Sequence, residues 1–132
     1  MKNIFQGYLQ LLSRKGSIAG KTADHLSVID KFYADHIVQV ENSSTPIKGK
    51  STLKNMEIKN LKGVSAVSTT IQNYVIDEEQ GLVWGEMFID FQPIKGEKKR
   101  LEEAFFQKWE NGQIVYQRFY YGAILGKPEN VR

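Results

Sequence analysis

Hydrophobic positions recur at helical spacing in the first third of the chain and at strand spacing in much of the rest. Ile4, Tyr8, Leu11 and Leu12 share one helical face, with Phe5 and Leu9 at its margin, which predicts an amphipathic helix starting near Asn3. Ser13 to Lys21 is rich in Gly, Ser and Lys and reads as a connecting loop. Thr22 is placed to cap a second helix whose buried stripe is Leu26, Ile29, Phe32 and Tyr33, ending near Ala34 and Asp35. His36 to Glu41 alternates as a short strand, Asn42 to Thr45 forms a turn, and Pro46 to Gly49 pairs back briefly. Ser51 is a candidate cap for a third helix carrying Leu53, Met56 and Leu61, with Gly63 as the left-handed residue that ends it.

From Ser65 onward the period changes to two. Ser65 to Ile76 alternates loosely and is rich in Val, Thr and Ile, Asp77 to Gly81 is a turn, and three further strands follow at Leu82 to Phe91, Leu101 to Trp109 and Gln113 to Tyr121. Ten of the fifteen aromatic residues lie between Leu82 and Tyr121. Such a sheet has enough aromatic surface either to close against a helix as core or to wall a small-molecule pocket. Asn111-Gly112 is a two-residue hairpin signal, because both residue types tolerate the positive φ that the turn demands. The segment from Gly122 to Arg132 reads as an irregular end. Helices followed by consecutive hairpins imply an α+β fold in a single domain over residues 1–132, with the helices packed on one face of a curved antiparallel sheet.

At 132 residues the chain is long enough to bury most of its apolar surface in one core. The absence of cysteine excludes disulfides, thiolate nucleophiles and cysteine-bound zinc. The N-terminus has no signal-peptide pattern and no run is long enough to span a bilayer, so a cytoplasmic location without membrane contact is the expectation. Net charge is +3, and the lysine clusters at Lys48, Lys50, Lys54, Lys59 and Lys62 and at Lys95, Lys98, Lys99 and Arg100 read as solvated surface. They are not interleaved with aromatic residues as nucleic-acid stacking requires, so no nucleic-acid partner is expected. His25 and His36 lack metal-ligand spacing and read as structural or surface residues; no metal or cofactor is expected.

Three segments carry a resemblance to a known family: FYADHIVQVENSSTPIKGKSTLKN at 32–55, VWGEMFID at 83–90 and FFQKWENGQIVYQRFYYG at 105–122. A helix ending in Phe-Tyr-Ala-Asp, then a strand, a glycine before a short helix, and a hairpin reading Lys-Trp-x-Asn-Gly-x-Ile together resemble the SnoaL-like branch of the nuclear transport factor 2-like superfamily. The resemblance implies a cone-shaped, highly curved antiparallel sheet with three helices on its concave face. It also implies a pocket inside the cone and dimerisation through the outer sheet face. The superfamily hosts ketosteroid isomerases, polyketide cyclases, dehydratases, epoxide hydrolases and transport factors, so fold alone does not select a reaction.

In the steroid isomerases of this fold a carboxylate moves the proton while a neutral acid and a phenol hold the oxyanion. By resemblance the phenol falls on Tyr8, which is equally readable as a core tyrosine bonded within the protein. The base falls on Glu41, since the following Asn42 takes no proton, although Glu41 also reads as a strand-end carboxylate facing water. The third position lands on Phe105, which has no proton to donate, and this departure argues against ketosteroid isomerisation. The shortage of matching His and Asp positions argues similarly against the dehydratase and epoxide hydrolase patterns.

Strand parity separates Trp84, Glu86, Phe88 and Asp90 from Val83, Met87, Ile89 and Phe91, and groups Glu103, Phe105, Gln107 and Trp109 on one side of the next strand. By the family's arrangement the Phe105 side looks into the cone, as do Gln117, Phe119 and Tyr121, leaving Tyr116, Arg118 and Tyr120 outside. The expected catalytic residues are therefore Tyr8, Glu41 and Glu103, and the expected ligand-binding residues are Glu86, Phe105, Gln107, Trp109, Gln117 and Phe119. A carboxyl group among Trp and Phe has its pKa raised by desolvation, which tunes an acid or base toward neutrality; an ion pair on the outer face is the competing reading for Glu86 and Glu103. The resulting expectation is a SnoaL-like small-molecule-binding protein, an isomerase, polyketide cyclase or hydrolase acting on an apolar carbonyl compound. The alternative is a noncatalytic homodimeric interaction or ligand-binding module.

Overall fold

The structure is a computed structural model that describes residues 1–13 and 23–122. Its elements are α1 (Lys2–Ser13), α2 (Ala23–Phe32), β1 (Tyr33–Glu41), β2 (Ile47–Lys48), α3 (Lys50–Leu61), β3 (Val64–Asp77), β4 (Leu82–Pro93), β5 (Lys99–Glu110) and β6 (Gln113–Tyr121). The predicted loop over Ser13 to Lys21, the Thr22 cap and the irregular C-terminal segment lie almost wholly outside the described residues.

Among the described residues, six strands form one sheet in the order β2-β1-β6-β5-β4-β3, with the helices packed against one side of it. This is the α+β cone that the element order implies. The meander from β3 to β6 is antiparallel throughout, as expected. One ladder departs from the antiparallel expectation: β1 runs parallel to β6, with Gln39 opposite Gln117 and Glu41 opposite Phe119. A parallel neighbour needs a long crossover, and everything between β1 and β6 supplies it.

Several local expectations are corrected. In α1 the buried residues are Phe5 and Tyr8, while Ile4 is turned toward solvent. Helix α2 stops at Phe32, so Tyr33 opens β1 instead of continuing the helical stripe. At the start of α3 the cap is Gly49, not Ser51; its φ of 98° and its N–H bond to the Ile37 carbonyl at 2.8 Å tie the helix to β1 without a side-chain cap. Nor is Gly63 left-handed. Helix α3 closes in right-handed geometry at Lys62, with a tight bond from the Gly63 N–H to the Asn60 carbonyl at 3.1 Å.

Parity explains which side of each strand meets the helices. Val83, Met87 and Ile89 of β4 face inward, and so do Glu103, Phe105, Gln107 and Trp109 of β5. The loose alternation of β3 comes from an irregularity in pairing between Ile71 and Asn73. Thr69 and Ile71 point inward before it, Tyr74 and Ile76 after it, because one extra residue swaps the faces. At the other end of the sheet the Asn111-Gly112 turn has the predicted positive φ values of 52° and 76°.

The core beneath α1 and α2 is aromatic. Tyr8 meets Trp109 and Phe32 edge to face, with ring centroids 5.4 and 5.6 Å apart, and Phe5 stacks on Tyr8 at 5.4 Å. Such arrangements suit the ring quadrupoles and bury large apolar area per residue. Phe105 lies flat across Gly85, where a Cβ would come within 2.6 Å of both its ring and the Asn73 carbonyl.

Candidate functional site

The cone encloses a cavity of about 320 Å³ between the three helices and the concave side of the sheet. Its wall is apolar for the most part, with Leu12, Val28, Ile29, Leu53, Met87 and Phe119 among the lining residues. The polar groups that reach it come from six elements: Tyr8 (α1), His25 (α2), Tyr33, Gln39 and Glu41 (β1), Glu57 and Asn60 (α3), Thr69 (β3) and Glu103 (β5). A concave, largely apolar space with few convergent polar groups is the usual form of a small-ligand site.

Of the nine residues expected in the site, Tyr8, Glu41, Glu103 and Phe119 line the cavity. Gln107 and Gln117 are fully buried directly behind it, and Trp109 lies in the aromatic core beside them. Phe105 is a correction, since it is core at 1% exposure and packs on Gly85 instead of lining the cavity. Glu86 is another. It stands on the outer face, exposed, accepting a hydrogen bond from the Asn73 amide at 2.9 Å. The residue flanking Glu86 with a Cβ on the inner side is Met87, because Gly85 has none, so strand parity alone carries the carboxylate to solvent.

Two buried glutamines link the two tyrosines in a chain whose direction is set from both ends. The Trp109 indole N–H can only donate, and it donates to Gln107 Oε1 at 3.0 Å. The Gln107 amide nitrogen must then donate, to the Tyr8 hydroxyl at 3.1 Å and to Gln117 Oε1 at 3.3 Å. Gln117 Nε2 in turn donates to the Tyr33 hydroxyl at 2.9 Å and to Gln39 Oε1 at 2.6 Å. Gln39 Nε2 closes the chain on Glu41 Oε2 at 2.9 Å, an acceptor when ionised. Reversing any amide would set donor against donor, so the oxygen and nitrogen assignments follow from the network. Both phenol oxygens therefore accept from behind. Their O–H protons are left for the cavity.

Electrostatics complement that geometry. Glu103 is 8% exposed and has no hydrogen-bonding or ion-pair partner among the described residues. Burial, reinforced by the charge of Glu41, raises its carboxyl pKa to about 7. Glu41 has both oxygens engaged, one by Gln39 and the other by the Tyr121 hydroxyl at 2.6 Å. That bond, with some burial, holds the Tyr121 phenol at about 12. Burial pushes Tyr8 up to about 12 and raises Tyr33 as well, so both phenols keep their protons at neutral pH.

Asn42 does not face the cavity chemistry. It adopts φ of 52°, donates its N–H to the Phe119 carbonyl at 2.7 Å and accepts from the Tyr121 N–H at 2.9 Å, pinning the end of β1 to β6. Sequence reasoning missed Tyr33, which was assigned to a helical stripe, and the trio His25, Glu57 and Thr69, which is far apart in the chain. His25 Nδ1 lies 3.1 Å from Glu57 Oε2, and its Nε2 lies 3.0 Å from Thr69 Oγ1. His36, by contrast, is exposed. Among the described residues no group of three or more His, Asp or Glu side chains is placed to hold a metal ion, and no helix is long and apolar enough to cross a membrane.

A cone of this topology with its cavity under the helices is the nuclear transport factor 2-like fold, in the form shared by SnoaL-like and ketosteroid isomerase-like proteins. Similar solved structures include a putative SnoaL-like polyketide cyclase from Jannaschia sp. CCS1, with a TM-score of 0.70 and 12% identity, covering 90% of this chain and 85% of that one. An NTF2-like protein of unknown function from Exiguobacterium sp. 255-15 superposes with a TM-score of 0.69 at 13% identity, covering 90% of this chain and 98% of its own. An LEH-like epoxide hydrolase from M. tuberculosis does so at 0.69 and 13%, covering 91% and 76%. No protein-family model matches the sequence, and no curated protein matches it. At these identities the likeness concerns the fold.

Proposed function

We propose that the protein binds an apolar carbonyl compound in the cone and moves a proton at the carbon beside the carbonyl, as an isomerase or cyclase does. Tyr8 and Tyr33 donate hydrogen bonds to the carbonyl oxygen. Glu103 takes the proton, and a carboxyl group with pKa near 7 is half ionised at neutral pH, where a general base works best. As the proton leaves, charge develops on the oxygen, and two preorganised phenol donors stabilise it. Glu41 contributes its negative charge, which keeps the pKa of Glu103 high. The observation carrying this reading is the buried Glu103 carboxyl, without a partner among the described residues, facing the same cavity as two phenols whose protons the glutamine chain leaves free.

The test is exchange of the α-protons of 2-tetralone for deuterium in D₂O, followed by NMR. Exchange above the buffer rate is expected, falling about 100-fold or more in Glu103→Gln and less steeply in Tyr8→Phe. Absence of any catalysed exchange with this and related cyclic ketones would overturn the reaction.

A second copy of the chain is proposed on the outer face of the sheet. Trp84, half exposed at 50%, meets Phe106 at a tilt with ring centroids 4.4 Å apart, and Phe106 continues to Tyr116 at 6.0 Å. A contiguous aromatic strip flanked by Arg118 over Tyr120 has the composition of an interface core. Sedimentation equilibrium is expected to give a dimer that Trp84→Lys dissociates; a monomer at all concentrations would remove this reading.

A further inference from the structure

The trio of His25, Glu57 and Thr69 has no part in the proton transfer just described, yet all three side chains line the cavity. Their hydrogen bonds have a direction. The Glu57 carboxylate can only accept, so in neutral His25 the proton sits on Nδ1 and is given to Glu57 Oε2. Nε2 is then a bare lone pair, and the one proton of the Thr69 hydroxyl is given to it. Both ring nitrogens are spent, which makes His25 a positioning residue. With His25 neutral, Thr69, only 5% exposed, has no proton left for a ligand and retains acceptor capacity on its oxygen.

The cavity therefore has two ends of opposite hydrogen-bonding character. Tyr33 on β1, with Tyr8 beside the same glutamine chain, donates; Thr69 on β3 accepts. In the order β1-β6-β5-β4-β3 these strands are separated by three others. We propose that Thr69, oriented by the His25–Glu57 pair, is a second ligand subsite that accepts a hydrogen bond from a hydroxyl or amine, so that the natural ligand is a hydroxy- or amino-substituted carbonyl compound. This rests on the carbonyl reading above for the identity of the opposite end. The specificity has a physical basis: a buried acceptor left unpaired by a ligand is penalised more than an exposed one.

The experiment is isothermal titration of 5-, 6- and 7-hydroxy-1-tetralone, each against its fluoro analogue, in which fluorine replaces the hydroxyl at similar size and cannot donate. At least one hydroxyl compound is expected to bind about tenfold more tightly than its fluoro partner. Thr69→Val brings that ratio to about one, and Thr69→Ser, which keeps the hydroxyl, retains it. Reading the ratio within each variant separates ligand recognition from any loss of stability. Equal binding of hydroxyl and fluoro compounds, an unchanged ratio in Thr69→Val, or no binding of any of them overturns the subsite. Tetrahydronaphthols, which lack the carbonyl, distinguish the two readings. If they bind as tightly as the hydroxytetralones with the same dependence on Thr69, the subsite stands and the carbonyl reading falls.

Discussion

The two faces of the β4-β5-β6 sheet each hold side chains that packing alone does not call for. The concave face buries Glu103, Gln107 and Gln117, two of them completely, whereas the convex face exposes Trp84 and Tyr120 and keeps Phe106 and Tyr116 only partly covered. Each buried amide is tolerated because it has partners at both ends, from Trp109 through to Glu41. Glu103 has none among the described residues. The comparison teaches that the concave polarity is organised for something other than packing, while the convex aromatics form an unburied surface that the monomer does not need for its core.

The largest expected effect comes from disturbing the tightest packing on the concave side. Gly85→Ala places a methyl group against the Phe105 ring and the Asn73 carbonyl, both at about 2.6 Å, and the backbone side of that clash cannot rotate away. A loss of about 3 kcal/mol in urea denaturation is expected, and a loss below about 1 kcal/mol would mean the strand shifts to accommodate it.

Next comes the pH dependence of Glu103. The unfolded carboxyl releases its proton near 4.5, whereas the folded one holds it to about 7. The native state thus binds more protons between these values, so stability is full below 4.5 and falls as pH rises through 7, by on the order of 2–3 kcal/mol. Glu103→Gln is expected to remove this slope, matching the wild type at pH 4 and exceeding it at pH 8 in thermal denaturation. A slope that survives the substitution would assign the dependence elsewhere.

Smaller is the expected effect of Gln107→Leu, which strands the Trp109 N–H and the Gln117 Oε1 and removes the donor to Tyr8. A destabilisation of about 2 kcal/mol is expected. Indole N–H hydrogen exchange, followed by NMR, should accelerate alongside it; unchanged exchange would show that another group has replaced the amide. At the bottom of the scale, Trp84→Gln on the convex face is expected to change monomer stability by less than about 0.5 kcal/mol. Its effect should appear in the concentration dependence of unfolding, if the strip is covered by a second copy. Together these outcomes rank the faces, with the concave side governing stability and the convex side governing association.

Much of the architecture was legible in the chain. Period-two alternation grouped Glu103, Phe105, Gln107 and Trp109 on one side of β5 and Asn111-Gly112 marked the hairpin, whereas the family resemblance supplied which side faces the cone; the irregularity in pairing between Lys108 and Trp109 left no signal in the sequence. The site was legible in part. Tyr8, Glu41, Glu103 and Phe119 line the cavity, but Glu86 stands outside it, because parity grouped Glu86 with Trp84 without saying which face of β4 turns inward. Phe105 shares the inward side with Glu103 and Gln107 yet is covered by packing on Gly85, and alternation specifies direction without depth. Tyr33 was misjudged because the helix ends one residue before it.

Local sequence determined the order of helices and strands, the hairpin turn and the aromatic content of the strands, all of which depend on neighbours a few residues apart. Tertiary structure decided the parallel pairing of β1 with β6, which turns Tyr33, Gln39 and Glu41 toward the concave side. It also decided the meeting of His25, Glu57 and Thr69, which are 32 and 44 residues from His25 in the chain. Hydrogen-bond partners separated by such loops are selected by the closed shape of the cone and leave no periodic trace in the chain that supplies them.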